Sequence, residues 1–306
     1  MNTDFDLFIK KIVIGRCRLN ERLYQKYFTT EESKRLLIQA FTHKSVENEP
    51  NYELLELEGD VILNASVVKY IRKKFPDIIN VGYVTRIKHN LISKQTFSSI
   101  AIKNGFFNYA RLSNEFKRNI VIGGVDYINI NEDLIETTCG AISTILDNNM
   151  SNGIGFKACY NFISSYLNEM DMDTDYDKVF DAKSRLKLLM DLNNCNFTNV
   201  LRTFDSDDNY KKKDTINQIN KSKIISSDQK NYFINLINET KAGFISKGFI
   251  CVDNNVDIAV IKTGTKKDVD QVVAAELLDI LDKTYNKRLI PVNKYKQDKY
   301  KKKWNN

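Results

Sequence analysis

From Tyr52 to Phe75 the chain has no proline and one glycine, and Pro76 follows directly. Proline lacks an N–H and fixes φ, so it ends a helix; the spacing predicts one long helix over 52–75. Leu54, Leu55, Leu57, Val61, Ile62 and Leu63 make it apolar nearly all round, and such a helix is expected to be buried. Glu53, Glu56 and Asp60 lie among them. At about 100° per residue these acids fall within an arc of roughly 60°. Buried carboxylates need partners. Gly59 sharpens the constraint, because glycine inside a helix costs about 1 kcal/mol relative to alanine. Its use before Asp60 implies that another backbone or a ligand comes close.

A second acidic pair, Asp133 and Glu136, is three residues apart and so shares a helix face. Acids at this spacing are ordinarily solvated surface, but the apolar setting of the first set weighs against that reading. Grouped carboxylates repel unless something positive sits among them. A hard divalent cation such as Mg²⁺, which takes oxygen ligands and keeps water, is the natural candidate. That chemistry points to metal-assisted phosphodiester cleavage.

Phe41-Thr-His-Lys-Ser45 followed by Glu53-Leu-Leu-Glu56-Leu-Glu-Gly-Asp60-Val-Ile-Leu63 resembles the signature of the ribonuclease III endonucleases, T-H-x-S and then N-E-R-L-E-F-L-G-D-x-x-L. Asp133-Leu-Ile-Glu136-Thr-Thr-Cys-Gly-Ala-Ile142 resembles the family's D-x-x-E-A-x-x-G-A-I block, and the likeness runs in order over residues 38–147. Departures are Tyr52 for the family Asn, Leu54 for Arg, Leu57 for Phe and Glu58 for Leu, with Asn119 to Asn131 replacing a glycine- and basic-rich segment.

The resemblance implies a ligand set of Glu56, Asp60, Asp133 and Glu136 for Mg²⁺, with Mn²⁺ as a substitute. It implies Asp60 and Glu136 as catalytic residues, with Glu53 as a supporting carboxylate. The implied reaction cuts double-stranded RNA to 5′-phosphate and 3′-hydroxyl ends with short 3′ overhangs. Family enzymes work as homodimers, and Leu57 stands at the dimer-contact position. His43 matches a position read as structural, in the core or as a cap, and neither it nor His89 is expected to be a catalyst.

Composition limits the alternatives. The net charge of +7 over 306 residues argues only weakly for a polyanionic partner. Five scattered cysteines, Cys17, Cys139, Cys159, Cys195 and Cys251, form no C-x-x-C pair. Neither a disulfide frame nor a zinc site is indicated, and a reducing compartment is expected: intracellular and cytoplasmic, the host cytoplasm for a viral protein. The first eleven residues are unlike a secretory leader. No run of 18 apolar residues occurs, so no membrane partner is expected. An unrelated helical phosphohydrolase would want histidine ligands, and only His43 and His89 exist.

The expected organisation is an all-α endonuclease domain with a ribonuclease III-like helical fold over 1–167, then an acidic linker over 168–180. A small α+β module (α-β-β-β-α) follows over 181–286, interrupted by an insertion at 205–241, and a basic tail fills 287–306. Helical spacing fills 5–15, 20–28, 31–41, 83–91, 93–104, 133–148 and 157–167 of the first part. In the module, a helix over 181–192 precedes strand-like runs at 197–204, 243–252 and 256–262, the last two joined through Asp253-Asn254-Asn255. A final helix spans about 266–285.

Thr265-Lys-Lys-Asp-Val-Asp-Gln-Val-Val-Ala-Ala275 is similar to the S-K-K-x-A-E-Q-x-A-A of double-stranded RNA-binding domains. Lys266 and Lys267 at a helix N-terminus join ammonium charge to free N–H groups, an arrangement that suits phosphate. They are the expected RNA-binding residues. The insertion holds one helical pattern, with Tyr232, Phe233, Leu236 and Ile237, which either packs on its own domain or docks elsewhere. The tail, with Tyr295, Tyr300 and Trp304 between lysines, is either a solubilising segment or a phosphate-neutralising one. Together the halves imply an endonuclease of double-stranded RNA; the alternative is a non-catalytic relative with a structural role in a ribonucleoprotein.

Overall fold

The computed structural model describes residues 3–172, 174–192, 196–252 and 255–285. The turn expected at Asp253 and Asn254, Cys195 and the basic tail 287–306 lie outside them. The chain divides into two compact units, Met1–Asp173 and Thr174–Asn306.

The first unit is helical. Helix α1 (Thr3–Lys10) runs into a wide turn over Lys11–Arg16, followed by α2 (Glu21–Tyr27), α3 (Glu31–Ala40) and α4 (Glu53–Lys74). Then come α5 (Val81–Leu91), α6 (Lys94–Lys103), α7 (Asn114–Asn119), α8 (Val125–Asn149) and α9 (Ile154–Leu167). Several starts are fixed locally: the side chains of Asn20, Thr30, Asn80, Ser93 and Ser113 each accept a hydrogen bond from a first-turn N–H, satisfying donors that a helix leaves orphaned. Helix α8 begins two turns before Asp133, so most of the segment 119–131 belongs to it rather than to a loop.

The core lies where α4 and α9 pack on α8, around Leu63, Val67, Leu134, Ile135, Ile142 and Phe162. At the α4–α8 crossing the main chains touch. A Cβ on Gly59 would lie 1.8 Å from the Glu136 carbonyl oxygen, and one on Gly140 would lie 2.1 Å from that of Leu55. Glycine at both positions is a requirement of the close approach. Burial of α4 is one-sided, contrary to expectation: Leu55 and Leu63 are buried, but Leu54, Leu57 and Val61 are 76%, 65% and 63% exposed. An apolar stretch does not itself say what covers it.

The second unit contains α10 (Tyr176–Val179), α11 (Ala182–Leu192), α12 (Phe197–Val200), β1 (Leu201–Asp205), α13 (Asn209–Lys221), α14 (Ser227–Glu239), β2 (Phe244–Val252), β3 (Asn255–Gly264) and α15 (Lys266–Tyr285). The strands form one antiparallel sheet in the order β1-β2-β3, giving the expected helix, three strands and helix. The first strand is shorter than its sequence suggested, because Phe197–Val200 coils into α12.

Both faces of the sheet are covered. Leu186, Leu189, Ile258, Val260, Val273 and Leu277 pack α11 and α15 on one face. Phe204, Ile219, Ile237, Ile245, Phe249 and Ile261 pack α13 and α14 on the other. The alternation of β2 sorts them, since successive side chains point to opposite faces. Ile245 and Phe249 meet the inserted helices, while Gly248 admits Val273 and Leu277 of α15. Asp270 on α15 binds Lys183 of α11, Thr203 of β1 and Ser246 of β2, tying that layer together. The insertion therefore packs on its own unit, and it holds two helices where the sequence disclosed one.

Candidate metal centre

The α4–α8 crossing sets the stage for the acidic cluster. Because Gly59 and Gly140 let the backbones touch, Glu56 of α4 is brought against Asp133 and Glu136 of α8. Each of these three offers a carboxylate oxygen, and the three oxygens lie within 4.8 Å of one another. It is the one such metal-capable group among the described residues.

The other two expected acids stand at the margin. Asp60 is held by its own helix: Asn64 Nδ2 donates to its Oδ1 at 2.7 Å, and Lys88 Nζ donates to Asn64 Oδ1 at 2.9 Å. Its charge still reaches the cluster, as the next influence after burial raising the Glu136 carboxyl. Glu53 pairs with Lys44 at 3.1 Å, with both side chains largely in solvent. The shared helix arc thus sends one acid to the triad and turns its neighbours to separate partners.

Electrostatics record the crowding. Burial, then Asp133 and Glu53, push Glu56 up to about 7. Burial, then Asp60, Glu132, Glu56 and Asp133, push Glu136 up to about 9. Burial also raises Asp133, opposed by a hydrogen bond from Tyr52. Like charges and desolvation both disfavour the ionised form, so the cluster favours taking up protons or a cation. The donors are all hard oxygens without sulfur or imidazole, which suits Mg²⁺ or Mn²⁺ rather than a softer metal. Glu56, Asp133 and Glu136 fit as direct ligands, with Asp60 beside them.

Two participants escaped the sequence reading. The buried Tyr52 hydroxyl donates to Asp133 Oδ2 at 2.8 Å; burial and then the Asp133 charge raise its pKa, keeping it a donor. Its aromatic ring just before the helix was the available signal, though it registered only as a departure from the family Asn. Glu132 pairs with Lys94 at 2.8 Å at the edge of the cluster; its place beside Asp133 was the clue.

The Thr42–Ser45 turn that carries Lys44 is stapled in place. His43 N–H donates to the Arg111 carbonyl at 2.9 Å, and the Arg111 N–H donates to that of Phe41 at 2.7 Å. His43 is buried against Tyr52 and Phe116, and its Nδ1 accepts from the Ser45 N–H at 3.1 Å. Burial lowers its pKa, so it is a structural histidine as expected. In the second unit, Lys266 is exposed at the start of α15, its ammonium 5.7 Å from the Phe244 ring centre. The Lys267 side chain lies outside what is described.

A family model described as Ribonuclease-III-like matches residues 33–169, which include both acidic blocks. A putative ribonuclease 3 of Frog virus 3 (isolate Goorha) is 32% identical over 157 residues, covering 50% of this chain and 41% of its own. The ribonuclease 3 of Lactobacillus johnsonii is 29% identical over 177 residues, covering 56% of this chain and 73% of its own. A solved nuclease domain of ribonuclease III from Campylobacter jejuni is 27% identical, covering 49% of this chain and 93% of its own, at a TM-score of 0.37. The chain spans 41% and 59% of the length of two viral relatives, those of Frog virus 3 and Invertebrate iridescent virus 6. Over a stretch that includes both acidic blocks, the chain is therefore similar to the ribonuclease III family.

Proposed function

We propose that this chain is a divalent-metal-dependent endonuclease that cuts double-stranded RNA as a homodimer. The observation that carries this reading is the convergence of Glu56, Asp133 and Glu136 within 4.8 Å. Glu56, Asp60, Asp133 and Glu136 would hold Mg²⁺ or Mn²⁺. When bound, such an ion supplies Lewis acidity toward water and toward the charge developing on the leaving 3′-oxygen. The chain's own groups prepare the site. Tyr52 orients Asp133 through its hydroxyl, Asn64 and Lys88 fix Asp60, and Lys44 holds Glu53 at the rim. Products with 5′-phosphate and 3′-hydroxyl ends and short 3′ overhangs follow from the family likeness. Lys266, exposed at the N-terminus of α15, and Lys267 beside it in sequence would meet duplex phosphate.

The homodimer is supported by the exposed ridge Leu54, Leu57 and Val61 on α4. The ridge forms part of the wall of a cleft of 420 Å³ that Ile62 and Phe156 also line. A second copy of the ridge, related by a two-fold axis, would bury both. Leu57→Glu is expected to convert a sedimenting dimer to monomer; a dimer that persists refutes this contact.

Incubation with labelled duplex RNA and Mg²⁺ tests the activity. Wild type should cut and Glu136→Gln should not, with both still binding duplex. Cutting by Glu136→Gln would overturn the ligand assignment. Binding without cutting by either protein would favour a structural role in a ribonucleoprotein.

A further inference from the structure

Arg202 of β1 and Lys247 of β2 are direct cross-strand partners, so their side chains share a face of the sheet, the face that the inserted helix α13 covers. Like charges directly opposite one another destabilise a sheet, and here one of them is buried: the Lys247 side chain is 7% exposed. Its ammonium donates to Gln218 Oε1 at 3.1 Å and stands 3.7 Å from the Asp214 carboxylate. Burial, with Arg202 adding to it, pushes Lys247 below the usual lysine range despite Asp214. Arg202 donates to the Thr198 carbonyl at 2.8 Å and to Asn199 Oδ1 at 3.0 Å, both neutral partners.

A cleft of 440 Å³ between β1 and α13 is lined by these two cations and Lys211, against one carboxylate, Asp214, with Tyr210 in the first turn of α13 also on its wall. Tyr210 is 82% exposed. Such a volume falls within the usual range for a small-molecule site, roughly 300–1,000 Å³. A guanidinium offers a planar fork of donors to phosphate, an ammonium adds a point charge, and an exposed ring offers a stacking face. Helix α15, which carries Lys266, packs on the opposite face of the sheet, so the cleft is separate from the proposed duplex contact.

We propose that the β1–α13 cleft binds the 5′-phosphate of a nucleotide, with Arg202 and Lys247 taking the phosphate and Tyr210 stacking on the base. The same chemistry is offered by a free nucleotide and by the 5′-phosphorylated end of an RNA strand. The site needs no metal, and its test stands apart from that of the nuclease.

The test is calorimetric titration of the full chain, without divalent metal, with adenosine 5′-monophosphate, inorganic phosphate, and a short single-stranded RNA bearing either a 5′-phosphate or a 5′-hydroxyl. The nucleotide should bind saturably. Arg202→Gln, a change at an exposed position, should weaken it about tenfold or more by removing a charge-assisted contact, and Lys247→Met should do likewise. Tyr210→Ala should weaken the nucleotide and leave inorganic phosphate unchanged. Phosphorylated RNA binding more tightly than both the nucleotide and the 5′-hydroxyl strand would support the proposal and identify a strand end. A nucleotide that binds as tightly as the phosphorylated strand would support it and identify a free ligand. No saturable nucleotide binding at millimolar concentration, or binding unchanged in Arg202→Gln with a normal melting transition, overturns the proposal.

Discussion

In the helical unit, Glu56, Asp133 and Glu136 bring carboxylate oxygens within 4.8 Å of one another, whereas in the second unit Arg202 and Lys247 oppose each other across two strands. Both regions gather like charge at partial burial, but they relieve it differently. Short acidic side chains on two helices whose main chains touch cannot retreat, so their pKa values climb toward the protonated form. Long basic side chains can carry their charged ends outward along an apolar surface. Arg202 does so, while Lys247 stays inside against Gln218 and Asp214. Rigidity of the supporting backbone, more than the number of charges, decides how strongly each cluster asks for a counter-ion.

Breaking the rigid member should have the largest effect. Gly59→Ala puts a Cβ where the Glu136 carbonyl already lies, at 1.8 Å, and forcing such helices apart typically costs about 1–3 kcal/mol, occasionally more. Chemical denaturation should show that loss, and stabilisation by Mg²⁺ should disappear with it. Unchanged stability would mean that the crossing is not close-packed.

Next in size is the pH dependence of the metal-free protein. A carboxyl with a higher pKa folded than unfolded binds more protons in the folded state. Its contribution is fully present below the unfolded value and lost as pH rises through the folded one. With Glu56 raised from 4.5 to about 7 and Glu136 from 4.5 to about 9, the loss sets in above about pH 4.5, and melting temperature should go on falling between about pH 6.5 and about pH 9. His43, lowered from 6.5, acts mainly below that window. Mg²⁺ should restore more stability at the upper pH than at the lower; a flat profile, with or without Mg²⁺, would contradict the crowding.

A paired substitution sharpens the contrast at the small end. Tyr52→Phe removes the hydroxyl that donates to Asp133, with an expected loss of about 1 kcal/mol and weaker Mg²⁺ binding at neutral pH. Lys247→Met removes a buried cation whose acid partner is half in solvent, so stability should change by less than about 1 kcal/mol or rise. Thermal melts of the two variants should therefore separate. A larger loss in Lys247→Met would show that its contacts to Gln218 and Asp214 hold the sheet face together.

Sequence made the acidic blocks readable because helical spacing and Gly59 constrain three dimensions directly: a glycine where two backbones touch leaves a trace in one dimension. Tyr52 left a weaker trace, since a tyrosine before a helix has many uses and its partner is 81 residues away. The exposure of Leu54, Leu57 and Val61 was misjudged because apolarity reports a preference for cover without naming the cover. Helix α13 went unseen because Lys211, Lys212 and Lys213 mask a face carried by Ile216 and Ile219. Its partners, Phe204 and Ile245, become neighbours only when the sheet forms.

The glycine-to-glycine crossing has a further consequence for selectivity. With α4 and α8 in main-chain contact, the separation of the two acidic blocks is a property of the scaffold and not of side-chain packing. Repacking the surrounding leucines and isoleucines would leave the bite of the cluster unchanged. Any adjustment to ions of different radius must come from carboxylate torsions alone.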